Sequence, residues 1–457
     1  MSNILYHKNT AFGKLYLFFY KIFRGVSAPT RHLLSTFALS IIAMLGVESV
    51  RNNHRGFLAR ATEKSLNAFY HALSYAKADH TRFVKQLVSE TLRAIPERLS
   101  THPVFLCVDD TLIEKYGKHF ENVSTLFDHA SHSGSGYLNG HCFVSLTLSV
   151  PVTGPSGKSR FLSCPLAYRM WVKEQPDGTH KSKLDLAAEM IRQAMPAIGD
   201  GRTVIVLCDS WYAKATMFSL TKEFKNLDLI CNARIDTAMY APAPERTGKR
   251  GRPRLHGDRV SPSDFKLTDR KIGDYYLGHR RVLTNLMKGT VLEAFVTSAD
   301  KEGGARRLFL STIPASGLQL FCADYEKAPI NQTGSGQFEF LPYMLYSVRW
   351  NGTEVGYYEQ KTFWSLRKYM LRSRNGIERM LNVINLAYTG MKLLPYIDAD
   401  LSSFRDASPQ EVRSTIGRQI REQVFIASFG KGGEVNINSP LFFKWLDYNS
   451  YGKETAA

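Results

Sequence analysis

The chain has 457 residues, of which 44% are hydrophobic and 12% aromatic, so its composition excludes a disordered protein and allows a large folded core. Lys and Arg outnumber Asp and Glu by 59 to 41, and the formal net charge of +18 favours a polyanionic partner, with nucleic acid as the first candidate. A basic surface without such a partner is the alternative, because charge alone does not identify a ligand.

Cysteine usage and hydropathy restrict the class of protein further. The six cysteines form no Cys-x-x-Cys pair, which favours reduced core thiols over a zinc site or a disulfide framework. The longest apolar stretch, residues 33–47, contains Ser and Thr and is too short to cross a bilayer, so we interpret it as a buried helix. We expect no cleavable leader and no membrane association, and a cytoplasmic location.

The first hundred residues predict a helical N-terminal domain, 1–100. Apolar residues recur there at helical spacing, as in Phe83, Val84, Leu87, Val88, Leu92 and Ile95. Frequent Lys and Arg are compatible with a DNA-binding role. A helical cap packed on a catalytic domain fits the same pattern, because no helix-turn-helix signature decides between the two.

From about residue 103 the pattern changes to that of an α/β domain. Two apolar runs, 104–108 and 204–208, predict buried strands, and each is followed by an aspartate. Between the two runs, the sequence predicts a hairpin of strands 142–150 and 160–166, followed by a helix over 181–196. A helix over 213–224 and a strand over 227–231 come next. This order predicts a mixed sheet that begins with an antiparallel meander.

The remainder of the chain completes the predicted domain organisation. Residues 234–335 contain a Pro-, Gly- and Arg-rich stretch and short strand-like pieces, which predict a β-rich insertion. Long helical patterns return over 338–394, and Pro395 is predicted to end the last helix. We therefore assign the catalytic domain to 101–233 and 336–395, and a weakly patterned C-terminal tail to 396–457.

Three carboxylates lie where a phosphoryl-transfer enzyme needs metal ligands. Asp109 and Asp209 follow the two apolar runs, and Glu354 lies in the later helical region. Hard cations such as Mg²⁺ prefer carboxylate oxygens, and two such ions can activate the attacking oxygen and stabilise the leaving one. We therefore predict that Asp109, Asp209 and Glu354 bind two Mg²⁺ or Mn²⁺ ions. Asp110 should point to the opposite face of its strand and is the alternative first ligand. Glu359 competes with Glu354 as the third carboxylate, but it has no Lys at the corresponding distance.

Basic and aromatic residues around Glu354 suggest contacts with a phosphate. Lys361 lies seven residues after Glu354, so the two side chains share one face if the segment is helical. We therefore predict that Lys361 is catalytic, as a point charge beside the scissile phosphate. Arg349 can bind a phosphate with two parallel hydrogen bonds, and Tyr346 can donate a further one. A solvated, charged helix face is the alternative interpretation of this set.

These residues resemble a known signature. The set Tyr346-x2-Arg349-x4-Glu354-x6-Lys361 resembles the Tyr/Arg/Glu/Lys signature of bacterial insertion-sequence transposases of the DDE type. The residues around Asp109 and Asp209 are similar to the first two acidic motifs of that family. In the family, three residues usually separate the Arg from the Glu, whereas here there are four, and Gly352 can absorb the extra residue as a bulge or a helix break.

The resemblance implies a fold and a reaction. It implies an RNase H-like catalytic domain that cleaves the ends of an insertion sequence and joins the 3′-hydroxyls to target DNA with Mg²⁺. The partner would be double-stranded DNA, bound by a homodimer associated with the nucleoid. Two other functions are kept open: a catalytically silent DNA-binding regulator of transposition, and an RNase H-like nuclease that cuts without joining.

A second basic motif lies in the predicted insertion. The segment 249–257 contains Arg250, Arg252 and Arg254 around a Gly-Arg-Pro sequence that resembles an AT-hook. Such arginines either enter a narrow A·T minor groove or clamp phosphates without sequence preference. A solvated basic loop is the third interpretation. Either DNA contact should weaken steeply with salt.

Overall fold

The computed structural model describes residues 6–47, 49–117, 119–128, 136–154, 157, 159–173, 178, 181–245, 254–302, 304–313 and 341–429. These residues form two compact units. The first unit takes its described residues from Met1–Phe83, Gln360–Lys392 and Ala407–Ala457, and the second consists of those in Val84–Glu359 and Leu393–Asp406.

The elements described before residue 104 are helical. They are α1 (Ala11–Ile22), α2 (Ala28–Ala43), α3 (Val50–Asn53), a π-helical turn (His54–Leu58), α4 (Ala59–Ala61), α5 (Leu66–Ser74), α6 (His80–Leu92) and a 3₁₀ turn (Glu97–Leu99). The apolar stretch after residue 33 lies in α2, which is buried from Leu33 to Ala43, as expected. In the described parts of the chain, no helix is long and apolar enough to cross a membrane.

The second unit contains a mixed, mostly antiparallel sheet. Its strands are β1 (Val104–Glu114), β2 (Ser124–Phe127), β3 (Tyr137–Thr153), β4 (Ser159–Trp171), β5 (Val204–Cys208), β6 (Leu227–Ala233), β7 (Met239–Tyr240), β8 (Arg259–Val260), β9 (Tyr276–Thr284), β10 (Val291–Ser298) and β11 (Arg306–Ser311). Their order is β2-β3-β1-β5-β6-β11-β10-β9-β7-β8, and β4 also pairs with β3. Strands β1, β5 and β6 are parallel to one another.

The helices after residue 180 complete the described chain. They are α7 (Lys183–Ile198), α8 (Ala215–Glu223), α9 (Leu341–Leu345), α10 (Val348–Gly352), α11 (Glu354–Phe363), α12 (Arg374–Ile397), a 3₁₀ helix (Ala399–Phe404) and α13 (Pro409–Phe429). Helix α7 packs against β3 and β4, and α8 packs against β6. Helix α10 packs against β1, β3 and β4.

Most predicted elements are confirmed, and three need correction. Strand β1 continues past Asp109 to Glu114, because β3 remains paired with it up to Gly140. Pro395 lies inside α12 rather than ending it, and the helix ends two residues later at Ile397. The tail described up to residue 429 contains the long helix α13 rather than weak structure.

The strands predicted as an insertion extend the main sheet. Strand β11 pairs antiparallel with β6, from Leu308 opposite Ala233 to Ser311 opposite Ile230, and β10 and β9 follow. Residues 246–253, 303 and 314–335 of the predicted insertion lie outside the described part. Five of the predicted core thiols are buried and form no disulfide, at positions 107, 142, 164, 208 and 231, and Cys322 lies outside the described residues.

Candidate active site

Asp109 and Asp209 lie side by side because of the pairing of β1 with β5. The parallel ladder runs from Val104 opposite Val204 to Val108 opposite Cys208, so the next residue on each strand is an aspartate. Neighbouring strands lie about 4.8 Å apart. The two carboxylates therefore extend from adjacent backbones at the end of the ladder.

Both aspartates face the side of the sheet that α9 and α10 cover. Cys107 and Leu207, two residues before each aspartate, pack in one buried cluster with Leu345 and Val348. Side chains two residues apart on a strand point to the same face. Asp109 and Asp209 are thereby directed towards α10 and the start of α11.

Asp110 points to the opposite face and has other partners. Its Oδ2 accepts a hydrogen bond from Lys183 Nζ at 2.7 Å, and its Oδ1 accepts one from Tyr212 OH at 3.0 Å. The Cys142 thiol also donates to Oδ2, at 3.3 Å. Since these contacts fix Asp110 beneath α7, the geometry favours Asp109 as the acid that acts together with Asp209.

Arg349 makes a contact that the sequence did not predict. Its side chain is buried, and Nη2 donates to Asp109 Oδ2 at 2.6 Å. Burial lowers the pKa of Arg349, but the neighbouring Asp109, Tyr346, Asp209 and Glu354 raise it, and the result is a raised pKa. The guanidinium predicted to bind a phosphate is thus ion-paired with a candidate catalytic carboxylate in this structure.

Burial and neighbouring charges change the acidity of Asp109. Its pKa is raised to about 7, chiefly by burial; the Arg349 guanidinium opposes the rise, and the charges of Asp209, Asp110 and Glu354 add to it. Asp209 is oriented differently, since its Oδ1 accepts hydrogen bonds from the backbone N–H groups of Trp211 at 3.0 Å and Tyr212 at 3.3 Å. The cluster therefore concentrates negative charge that Arg349 only partly balances.

Helix α11 brings Glu354 to this face. Glu354 is its first residue, and one turn later the buried Tyr357 hydroxyl lies 2.6 Å from Ser145 Oγ. Ser145 is the residue of β3 directly opposite Asp109. The Tyr357–Ser145 hydrogen bond thus fastens the first turn of α11 beside the aspartates. Neither residue belongs to a recognisable motif, so neither was predicted from the sequence.

The four-residue interval between Arg349 and Glu354 corresponds to a helix break. Helix α10 ends at Gly352, Thr353 lies between the helices with φ −116° and ψ −66°, and α11 starts at Glu354. Thr353 Oγ1 donates to Arg349 O at 3.0 Å. Gly352 lies so close to the sheet that a Cβ there would meet Cys107 Sγ at 3.0 Å. The glycine is needed for close approach of α10 to β1.

The structure describes three of the other candidate DNA-binding residues. Tyr346 is partly buried, and its ring packs edge-on against Phe309 of β11 with 5.1 Å between centroids. Burial raises its pKa. Lys361 lies two turns after Glu354 on α11, as predicted, but it belongs to the first unit. Arg254 is exposed, whereas Arg250 and Arg252 lie outside the described residues.

The acidic residues fit divalent cations by their chemistry. Asp109, Asp209 and Glu354 supply hard oxygen donors, and their mutual repulsion at Asp109 is what a bound cation would relieve. With the side chains as they stand, the described residues contain no group of three or more His, Cys, Asp or Glu arranged to hold a metal ion. Metal binding by these residues stays a prediction.

A mixed sheet that places two aspartates beside each other, with a glutamate on a nearby helix, is an arrangement suited to phosphoryl transfer. The family model described as DDE superfamily endonuclease matches residues 27–275, more than half of the chain, and the chain belongs to this family. The matched region contains Asp109 and Asp209 and ends before Glu354.

Among solved structures, the chain is similar to a piggyBac transposase, determined as a synaptic complex with hairpin DNA; the TM-score is 0.46 and the identity 10%, over 98% of this chain and 84% of that one. No curated protein sequence matches the chain.

Proposed function

We propose that this protein is a transposase of the DDE type, which cleaves DNA at the ends of an insertion sequence and joins the freed 3′-hydroxyls to target DNA. The observation that carries the proposal is the adjacency of Asp109 and Asp209 at the end of the β1–β5 ladder. We also infer an RNase H-like catalytic domain. Its support is the run of antiparallel β4, β3 and β1 followed by the parallel β5 and β6.

Asp109, Asp209 and Glu354 would hold two Mg²⁺ or Mn²⁺ ions, which supply charge stabilisation for the attacking and leaving oxygens of the phosphodiester. The chain's own groups prepare that site. Arg349 keeps the Asp109 carboxylate on the correct face, and Tyr357 holds the first turn of α11 beside it. This preorganisation limits the rearrangement needed when DNA binds.

The DNA contacts proposed for this activity are Tyr346, Arg349, Lys361 and the arginines at 250, 252 and 254. Arg349 donates to Asp109 through Nη2 in this structure, so its other N–H groups are the donors that a phosphate would use. We expect a homodimer on double-stranded DNA, since two element ends must be joined in one complex, and a cytoplasmic, nucleoid-associated protein.

The DNA that flanks the gene supplies the substrate for a direct test. Inverted repeats found there would be synthesised as labelled duplexes and incubated with the full chain, a supercoiled target plasmid and Mg²⁺ or Mn²⁺. We expect cleavage at the repeat ends and joining of pre-cleaved ends to the plasmid. Cleavage without joining would identify a nuclease instead, and binding without cleavage would identify a silent regulator.

A matched pair of variants assigns the third acid. Glu354→Gln should lower cleavage by at least about 100-fold, because a charged group that acts on the transition state is lost. Glu359→Gln, the same change five residues later on α11, should leave cleavage close to wild type. Duplex binding in EDTA should be equal for both variants. Full cleavage by the Glu354 variant would remove it from the site.

A further inference from the structure

The first unit contains a broad basic groove that no residue of the proposed active site touches. Its volume is about 690 Å³, and it is lined by Arg24, Gly25, Val26, Ser27, Thr30, His71, Tyr75, Ala76, Lys77, Ala78, Asp79 and Arg82. These residues come from the turn before α2, the end of α5 and the start of α6. We refer to this feature as the basic groove.

The groove carries three exposed cations and one carboxylate. Arg24, Lys77 and Arg82 are exposed. The carboxylate, Asp79, accepts hydrogen bonds from the backbone N–H groups of Thr81 at 3.0 Å and Arg82 at 3.2 Å, and its Oδ2 lies 3.3 Å from Arg82 Nε. Because Asp79 is committed to these partners, Arg24 and Lys77 leave the groove with an excess of positive charge.

The walls of the groove are held in place by backbone contacts. Asp79 N donates to Gly25 O at 2.8 Å, and a Cβ at Gly25 would come within 2.3 Å of Asp79 O, so the two segments are in direct contact. The buried Arg379 donates to the carbonyls of Ala72, Leu73 and Ala76 at 2.6, 3.0 and 2.6 Å. Its charge offsets the partial negative charge at the end of α5, which would otherwise repel an anion.

An exposed aromatic side chain completes the groove. Tyr75 is 74% exposed and lies beside the His71 ring, with 5.9 Å between the centroids. A tyrosine in this setting offers an apolar ring for packing against a sugar and a hydroxyl for a phosphate oxygen. Exposed cations around an open, preformed groove with an aromatic edge are the features of a surface that follows a nucleic-acid backbone.

We propose that the basic groove binds the sugar–phosphate backbone of duplex DNA through Arg24, Lys77 and Arg82. DNA as the ligand rests on the proposed function, since a transposase must hold DNA outside its catalytic residues. Backbone contacts of this kind hold the duplex in position without reading its sequence. The groove is therefore assigned to affinity and not to recognition of the element ends.

Salt dependence of DNA binding tests the groove. The full chain would be titrated with a fluorescent duplex of mixed sequence in EDTA, between 0.05 and 0.3 M salt (about the range over which phosphate contacts dominate). The slope of log K against log salt is negative, and each lost phosphate contact reduces its magnitude by about 0.9. The triple variant Arg24→Ala, Lys77→Ala, Arg82→Ala should therefore reduce the magnitude by about 2.7, which, for equal affinities at about 1 M salt, is about a 170-fold loss of affinity at about 0.15 M.

A second triple variant controls for net charge. Arg51→Ala, Arg55→Ala and Lys64→Ala remove three exposed cations of the same unit that do not line the groove. The slope should change in the control by at most about one-third of its change in the groove variant. Both variants should unfold at the wild-type temperature. An unchanged slope for the groove variant, or an equal loss in the control, would overturn the proposal. Because binding is measured without metal, this outcome is independent of any failure of cleavage.

Discussion

The hydrogen bond between Tyr357 and Ser145 should hold Glu354 in its working position. The two hydroxyls lie 2.6 Å apart, and both side chains are buried, Tyr357 to 7% exposure and Ser145 to 0%. Ser145 lies opposite Asp109 on β3, while Tyr357 lies three residues after Glu354. Loss of this bond would loosen the first turn of α11 directly beside the aspartates.

The size of the effect follows from burial. Tyr357→Phe leaves the buried Ser145 hydroxyl with one partner fewer, and Ser145→Ala does the same to the buried Tyr357 hydroxyl. Each change should cost about 1–3 kcal/mol, the penalty for an unsatisfied buried hydroxyl. In the double variant neither hydroxyl remains, so its cost should be smaller than the sum of the two by about 1 kcal/mol or more.

Urea unfolding of the four proteins would measure this coupling energy, and DNA cleavage would be measured on the same samples. Cleavage should fall about tenfold or more in both single variants, with duplex binding unchanged, because a displaced Glu354 affects the reaction rather than affinity. Strictly additive stabilities would show that the two hydroxyls do not interact. Wild-type cleavage by Tyr357→Phe would refute the positioning role.

Two other variants probe the same face of the sheet. Asp109→Asn should stabilise the metal-free protein at high pH. The pKa of Asp109 is raised from 3.8 to about 7 in the folded protein, so the wild type loses stability as pH rises through this range. The loss reaches about 4 kcal/mol above pH 7. Urea unfolding in EDTA should show equal stabilities at pH 4 and a gap at pH 8; a gap that does not change with pH would contradict this. Gly352→Ala should cost about 1–2 kcal/mol through the contact with Cys107, and Cys107→Ala in the same chain should restore most of it.

The local elements around the site could be predicted because their signals lie within a few residues. The apolar runs before Asp109 and Asp209 lie in β1 and β5. Glu354 and Lys361, whose seven-residue spacing suggested a shared helix face, both lie in α11. Strand alternation also placed Asp110 on the face opposite Asp109. A continuous apolar run, the alternation of a strand and the spacing of a helix were sufficient in these cases.

Contacts between distant parts of the chain could not be predicted in this way. The Arg349–Asp109 ion pair joins residues 240 apart, and the Tyr357–Ser145 hydrogen bond joins residues 212 apart. Both depend on how helices pack against the sheet, which no local period encodes. The extension of β1 to Glu114 is similar, because it is set by the length of β3 and not by the sequence of β1.

The pairing of β6 with β11 limits how far this protein can be shortened. Removing the strands between 239 and 311 would leave β6 as an unprotected edge, with the N–H and C=O groups of Ile230 to Ala233 no longer bonded to β11. The strand is apolar and largely buried, with Leu229, Ile230 and Cys231 in succession. An exposed edge of this kind recruits strands from other molecules. A shortened protein without these strands would therefore aggregate, even though the strands carry none of the candidate catalytic carboxylates.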